Sequence, residues 1–232
     1  MKRKAFLIYL ISLVFFSACQ KEEAYVGISN PLKDIDGNQY KTVTIGNQTW
    51  MGENLRTTRY NDGTPIPNVT DDDEWIELNT PAYCWYLNWE AEYKLVYGAY
   101  YNGYVIETEK VCPTGWHVPT LQEWKTLYNT VEDDRFLHNP KVGEALKSIG
   151  GWENGCNGVD EYRFSAIGSG LREPNGKFVY RGTHTYFWSS STCNRCCSGY
   201  FTPLFYCNRD IELDWPFGLY LGTGSVIRCI KD

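Results

Sequence analysis

The chain has 232 residues, with 22 basic and 28 acidic side chains for a net charge of −6, and 16% of it is aromatic. An acidic protein repels a phosphate backbone, which excludes nucleic acid as a partner. Nine Trp and 18 Tyr supply the bulk of one sizeable core, and such residues also build the contact surfaces of secreted binding modules.

Lys2, Arg3 and Lys4 precede an apolar run over residues 5–16, and Ser17 and Ala18 lead into Cys19. A basic start, an apolar stretch and small residues are the signature of an export signal. The run is shorter than the roughly 20 residues that a membrane-spanning helix needs. Phe16-Ser17-Ala18-Cys19 resembles a bacterial lipobox, in which the cysteine is acylated and becomes the new N-terminus. That resemblance implies a signal over 1–18, lipid attachment at Cys19 and the membrane as a partner, held by burial worth about 0.8 kcal/mol per CH2. Removal of 1–18 takes away three basic residues and no acidic one, which brings the net charge to −9. Gln20-Lys21-Glu22-Glu23 resembles the short signal that sends lipoproteins to the extracellular face of the outer membrane. Residues 19–33 then read as a lipidated tether, with Gly27, Asn30 and Pro31 as breakers. Residues 34–232 read as a single domain.

Asp34-Ile35-Asp36-Gly37-Asn38 begins like a calcium loop, but the acidic end of such a loop is missing, so it reads as a turn. Residues 39–45 and 48–51 are strand-like around Gly46-Asn47, which predicts a hairpin. Residues 61–81, with Pro65, Pro67 and Pro81, read as a long loop in which Asp71-Asp72-Asp73-Glu74 is solvated. Residues 82–104 carry Trp85, Tyr86, Trp89, Tyr93, Tyr97, Tyr100, Tyr101 and Tyr104; helix and strand are not separable there. Most of these aromatics read as core, with one or two left outside where a sugar could stack.

Thr120-Leu121-Gln122-Glu123 is a capping box, and Leu121, Trp124, Leu127, Tyr128 and Val131 follow at helical spacing. A helix is predicted over 120–132. Asn139-Pro140 predicts the start of a second, with Val142, Ala145, Leu146 and Ile149 on one face and Gly150-Gly151 as its stop. Short strand-like runs follow at 163–167, 168–172, 177–180, 186–190, 200–206 and 225–230. Glu173-Pro174-Asn175 is the tripeptide with which mannose-type lectins hold calcium and sugar, yet Pro174 to Gly176 between two strand-like runs reads as a hairpin turn.

Beyond Cys19 there are eight cysteines: Cys84, Cys112, Cys156, Cys193, Cys196, Cys197, Cys207 and Cys229. An even number in an exported chain predicts disulfides, and about a hundred pairings are open to eight cysteines, so spacing gives no connectivity. Whether Cys84 is free is likewise open. Cys193, Cys196, Cys197 and Cys207 lack the second ligand pair that a zinc site needs, and they read as disulfide partners. His117 reads as a packed, hydrogen-bonded residue that fixes the start of the first helix. No catalytic residue, metal site or cofactor is predicted, and the ligand-binding residues are not identified.

Gly46-Asn47-Gln48-Thr49-Trp50-Met51-Gly52-Glu53-Asn54-Leu55, Tyr97-Gly98-Ala99-Tyr100, Cys112-Pro113-Thr114-Gly115-Trp116-His117, Phe187-Trp188-Ser189-Ser190 and Ser225-Val226-Ile227-Arg228-Cys229 occur in that order. Together they resemble the Fibrobacter succinogenes major paralogous domain, over about 34–232. The resemblance implies an exported bacterial protein, often a lipoprotein, of a family with no well-established activity. It implies a Cys112–Cys229 disulfide. It also implies an α+β, C-type-lectin-like fold of two short helices and many short antiparallel strands, stapled by disulfides. That fold class holds both ligand binders and formylglycine-generating enzymes. The expectation is a non-catalytic cell-surface module for glycan or protein ligands. A structural envelope component is the alternative, and a cysteine-dependent enzyme using Cys193 and Cys197 is the remotest one.

Overall fold

A hairpin near the start of the domain and the end of the chain meet in one sheet. The computed structural model describes residues 31–134, 141–153, 155–193, 199–200, 204–207, 211–213 and 218–232. In chain order the elements begin with β1 (Leu32–Lys33), β2 (Gln39–Tyr40), β3 (Thr42–Ile45) and β4 (Gln48–Met51). Next come α1 (Asp72–Ile76), β5 (Tyr83–Cys84), a 3-10 turn (Tyr86–Asn88), α2 (Glu90–Tyr97), β6 (Tyr100–Tyr101), α3 (Gly103–Ile106) and β7 (Trp116–His117). These are followed by α4 (Leu121–Asp134), α5 (Val142–Leu146), β8 (Leu171–Arg172), β9 (Phe178–Val179) and β10 (His184–Tyr186). Last are β11 (Thr192–Cys193), β12 (Gly199–Tyr200), β13 (Leu204–Tyr206), β14 (Ile211–Glu212), β15 (Leu219–Tyr220) and β16 (Ile230–Lys231).

The largest sheet has the order β3-β4-β16-β7, and every pairing in it is antiparallel. The predicted β3–β4 hairpin forms with Val43 opposite Trp50 and Ile45 opposite Gln48. Gly46 turns it with φ +60, and a Cβ there would stand 2.8 Å from Thr130 Cγ2, so both backbone and space require glycine. Two smaller three-stranded sheets have the orders β10-β13-β14 and β11-β12-β15. The fold is thus α+β, with few helices and many short antiparallel strands.

The predicted capping box opens α4. Thr120 Oγ1 accepts from the Glu123 amide at 3.2 Å, and the Glu123 carboxylate accepts from the Thr120 amide at 2.7 Å. Trp124, Leu127 and Val131 form its buried face. There they join an aromatic core: Trp124 lies 4.7 Å from Trp50 and stacks on Phe187 at 5.3 Å, and Phe164 packs edge-on against both Trp50 and Trp124. Truncating such a buried Trp costs about 3–5 kcal/mol.

The structure corrects three expectations about helices. The loop at 61–81 contains α1, which Asp71 caps by accepting from the Glu74 amide at 2.9 Å. Asp72, Asp73 and Glu74 are therefore solvated as expected but sit at the positive end of a helix and not in a loop. Residues 82–104 alternate between short strands and helices, so the described residues hold five α-helices where two were expected. The second expected helix stops at Leu146, because Lys147 turns extended and bridges to Ala166. Ile149, expected on the apolar face, is left 74% exposed; Asn139 and Pro140 lie outside the described residues.

Arg172 ties α1 to β8. Its buried guanidinium donates to the carbonyls of Val69, Thr70 and Asp71 and to Asp72 Oδ1 at 2.6 Å, and it lies over the Trp75 ring at 4.2 Å. Its Nε also donates to Gly176 O at 2.9 Å, so one planar group with five donors serves four carbonyls and a carboxylate at once. The predicted turn at Pro174 to Gly176 joins β8 to β9.

Candidate functional site

After β4 the chain runs on through Gly52 to Arg56, between two other segments. The Leu55 amide donates to Ile227 O at 2.9 Å, and the Ala99 amide donates to Leu55 O at 3.0 Å. This fixes Asn54, whose Nδ2 donates to Tyr97 O at 2.8 Å and whose Oδ1 accepts from Arg228 Nε at 2.9 Å. Gly98 makes the close approach possible. It holds φ +75, and a Cβ on it would meet Asn54 Cβ and Leu55 O at 2.8 Å.

These segments border a cleft of about 190 Å3. Asn54, Arg56 and Arg228 belong to its floor, Ser148 and Ser165 to its polar wall, and Leu95, Val96 and Ile167 to its apolar side. Leu95 is 80% exposed and Val96 47% exposed, at the C-terminal end of α2. Arg228 is only 1% exposed. It donates to the carbonyls of Phe164 and Ser165 and lies over the Phe164 ring at 4.5 Å. Among the described residues no carboxylate lies within ion-pairing distance of it. Burial pulls its pKa down to about 9, against the weaker attraction of Asp160 and Glu53, so it stays cationic at neutral pH.

Arg56 is the second cation of the cleft. It donates to Glu53 Oε2 at 3.0 Å and to Gln39 O at 2.6 Å, and it lies over the Tyr40 ring at 4.5 Å. Its Nε is buried and has no partner. With one carboxylate, Glu53, against two guanidinium groups, the cleft is locally positive on an acidic chain. The sequence marked Glu53, Asn54, Gly98 and Arg228 only as parts of the family motifs and none of the lining residues as a ligand site. The available signal was Arg228 itself, a lone charge inside the apolar run Val226-Ile227-Arg228-Cys229-Ile230.

The cysteines fall into distinct groups. Cys112 is bonded to Cys229, with Cα atoms 6.0 Å apart, and Cys156 to Cys207, with Cα atoms 4.8 Å apart. Cys84 is free and fully buried. Burial pushes its thiol up to about 12, although Arg172 beside it pulls the other way, so it remains a neutral thiol. Cys193 contributes backbone to β11, whereas Cys196, Cys197 and Cys19 lie outside the described residues.

His117 sits between two carboxylates, with Nδ1 2.7 Å from Asp232 Oδ1 and Nε2 2.9 Å from Glu123 Oε1. Burial lowers its pKa, and hydrogen bonds and attraction from Asp232 and Glu123 outweigh that, so the net shift is upward. Both ring nitrogens are thereby occupied, and the residue anchors the capping box of α4 to the end of β16.

The other candidates resolve into structure. Asp34 accepts from Asn38 and from Tyr40 Oη at 2.6 Å, and Asp36 accepts from Thr57, Thr58 and Arg59, so this turn spends its carboxylates internally. Among the described residues no group of three or more His, Cys, Asp or Glu is arranged to hold a metal ion. Of the aromatic run, Trp85, Tyr86, Tyr97, Tyr100 and Tyr101 are buried, Tyr93 and Tyr104 are partly buried, and Trp89 is 61% exposed. Trp89 follows Leu87 and Asn88, which both hold left-handed backbone at φ +49 and +57. Among the described residues no helix is long and apolar enough to cross a membrane.

The segments that carried the family resemblance converge on the cleft: Gly52, Glu53 and Asn54 from the first, Gly98 from the second and Arg228 from the last. No curated protein and no solved structure matches the chain. The Fibrobacter succinogenes major domain matches it over residues 43–231. That span is most of the sequence, and the chain belongs to this family.

Proposed function

We propose that the protein is a non-catalytic binding module of C-type-lectin-like architecture. In this reading it is held by an acylated Cys19 on the outer membrane, faces the extracellular side and takes a glycan or protein ligand. The observation that carries the binding reading is the cleft, whose lining joins buried Arg228 and Arg56 to the exposed side chains of Leu95 and Val96. Binding sites commonly combine an apolar wall with a few fixed polar groups. Support for a non-catalytic role comes from the thiol and imidazole at hand. Cys84 is sealed in the core as a neutral thiol, and His117 spends both nitrogens on carboxylates, so neither offers an activated nucleophile. Two disulfides agree with an oxidising compartment.

Membrane fractionation tests the anchor: Cys19→Ala releases the protein, and a variant that stays membrane-bound contradicts the lipid reading. Screening the purified protein against glycans and envelope proteins tests the binding role. A ligand whose affinity drops with Leu95→Asp supports it. Silence in both screens contradicts it and favours a structural envelope component.

A further inference from the structure

We propose that the Arg228 cleft takes the terminal carboxylate of a peptide chain whose last side chain is aliphatic. This rests on the reading of the cleft as the ligand site and names what enters it. Three observations carry it. The floor holds two guanidinium groups against one carboxylate, and that carboxylate is already engaged by Arg56 at 3.0 Å. Arg228 is buried and hydrogen-bonded only to neutral acceptors, Asn54 Oδ1 and the Phe164 and Ser165 carbonyls, so among the described residues its charge has no paired carboxylate and only the weaker attraction of Asp160 and Glu53. Arg56 keeps a buried Nε without a partner. A buried cation without a counter-ion favours an incoming anion, and a planar carboxylate matches the donor fork of a guanidinium.

The side wall selects the rest of the ligand. It is made of Leu95, Val96 and Ile167, and among the described residues no aromatic ring lines the cleft. Sugar rings are held by stacking on aromatic faces, whereas an aliphatic side chain buries well against Leu, Val and Ile. A single terminal residue, with its carboxylate on the arginines and its side chain along α2, suits a cleft of about 190 Å3. A longer extension leaves past Leu95 into solvent.

Fluorescence anisotropy of the detergent-solubilised protein with fluorescein-Ala-Ala-Leu tests this. The free acid, the C-terminal amide and glucuronate as competitor form the arms. The free acid binds, the amide binds at least tenfold more weakly, and glucuronate fails to displace the peptide. Arg228→Gln abolishes binding; because Arg228 is buried, the decisive variants lie at the exposed rim. Leu95→Asp, which both removes apolar wall and sets a like charge at the mouth, weakens the free acid at least tenfold and more than Leu95→Lys does, while both keep the melting temperature. Equal binding of acid and amide, or no binding of either at millimolar peptide, overturns the proposal. Displacement by glucuronate that Leu95→Asp abolishes also overturns it, and in that outcome the cleft stands as the ligand site with an acidic sugar as its occupant.

Discussion

Cys112 and Cys229, 117 residues apart in sequence, hold their Cα atoms 6.0 Å apart. Cys112 precedes β7 and Cys229 precedes β16, and those two strands pair directly, Ile230 opposite His117. The disulfide therefore closes a loop that holds α4, α5 and the strands from β7 to β15 beside the largest sheet. In the chain-entropy account a loop of this length is worth about 4–5 kcal/mol. Replacing Cys112 and Cys229 together by Ala is expected to lower the unfolding free energy by that amount, read from denaturant midpoints at unchanged m-value. A loss below about 1 kcal/mol would show that the bond is incidental.

Arg172 gives a second test by substitution. Arg172→Met keeps the packing against Trp75 but abandons the carbonyls of Val69, Thr70, Asp71 and Gly176 inside the protein. The expected loss is about 3 kcal/mol or more, since removing one side of a buried polar network leaves the other unpaired. Asp72→Asn, at a side chain that is largely exposed, is expected to cost under about 1 kcal/mol. Equal effects of the two substitutions, measured by thermal melts, would contradict this assignment.

The His117 pKa is raised in the folded protein above its ordinary 6.5, by hydrogen bonds and attraction from Asp232 and Glu123 that exceed the burial effect. A raised folded pKa stabilises fully below the unfolded value and fades as pH rises through the folded one. The melting-temperature advantage of the native protein over His117→Gln is thus expected to be largest below pH 6 and to shrink on the alkaline side of 6.5. An advantage that grows with pH would mean that the imidazole is neutral between its two carboxylates.

Thiol counting checks the cysteine assignment. Of the eight cysteines beyond Cys19, four are paired and Cys84 is free and buried. Three then remain, of which two can pair with each other. A monomer must therefore carry at least two thiols, Cys84 included, and not the none or one that an even cysteine count suggests. Cys84 is expected to be silent to thiol reagent in the native state and to react on unfolding without reductant, as judged by comparison with Cys84→Ser. Reaction in the native state would contradict its burial. An odd thiol count would reveal a disulfide between two chains.

Features written in adjacent residues were legible. Thr120 and Glu123 announce the start of α4, Gly46-Asn47 the β3–β4 hairpin, and Pro174 to Gly176 the β8–β9 turn, because each depends on contacts within a few positions. The Asp71-x-x-Glu74 cap was written in the same alphabet, yet it stands among prolines that argue for a loop. Ile149 continued a helical pattern that a long-range bridge from Lys147 to Ala166 cuts off. The cleft was not legible, since Asn54, Gly98, Ser165 and Arg228 reach one place only through tertiary hydrogen bonds. Spacing could not announce it; the one hint was an arginine in an apolar strand.

The account's central claim is that the protein works outside the cell on a lipid anchor, and intact-mass analysis of the protein purified from membranes tests it most directly. The expected species begins at Cys19, lacks residues 1–18 and carries the added mass of a diacylglycerol with further acylation. A chain with residues 1–18 still attached, or with an unmodified Cys19 in the soluble fraction, would contradict the claim.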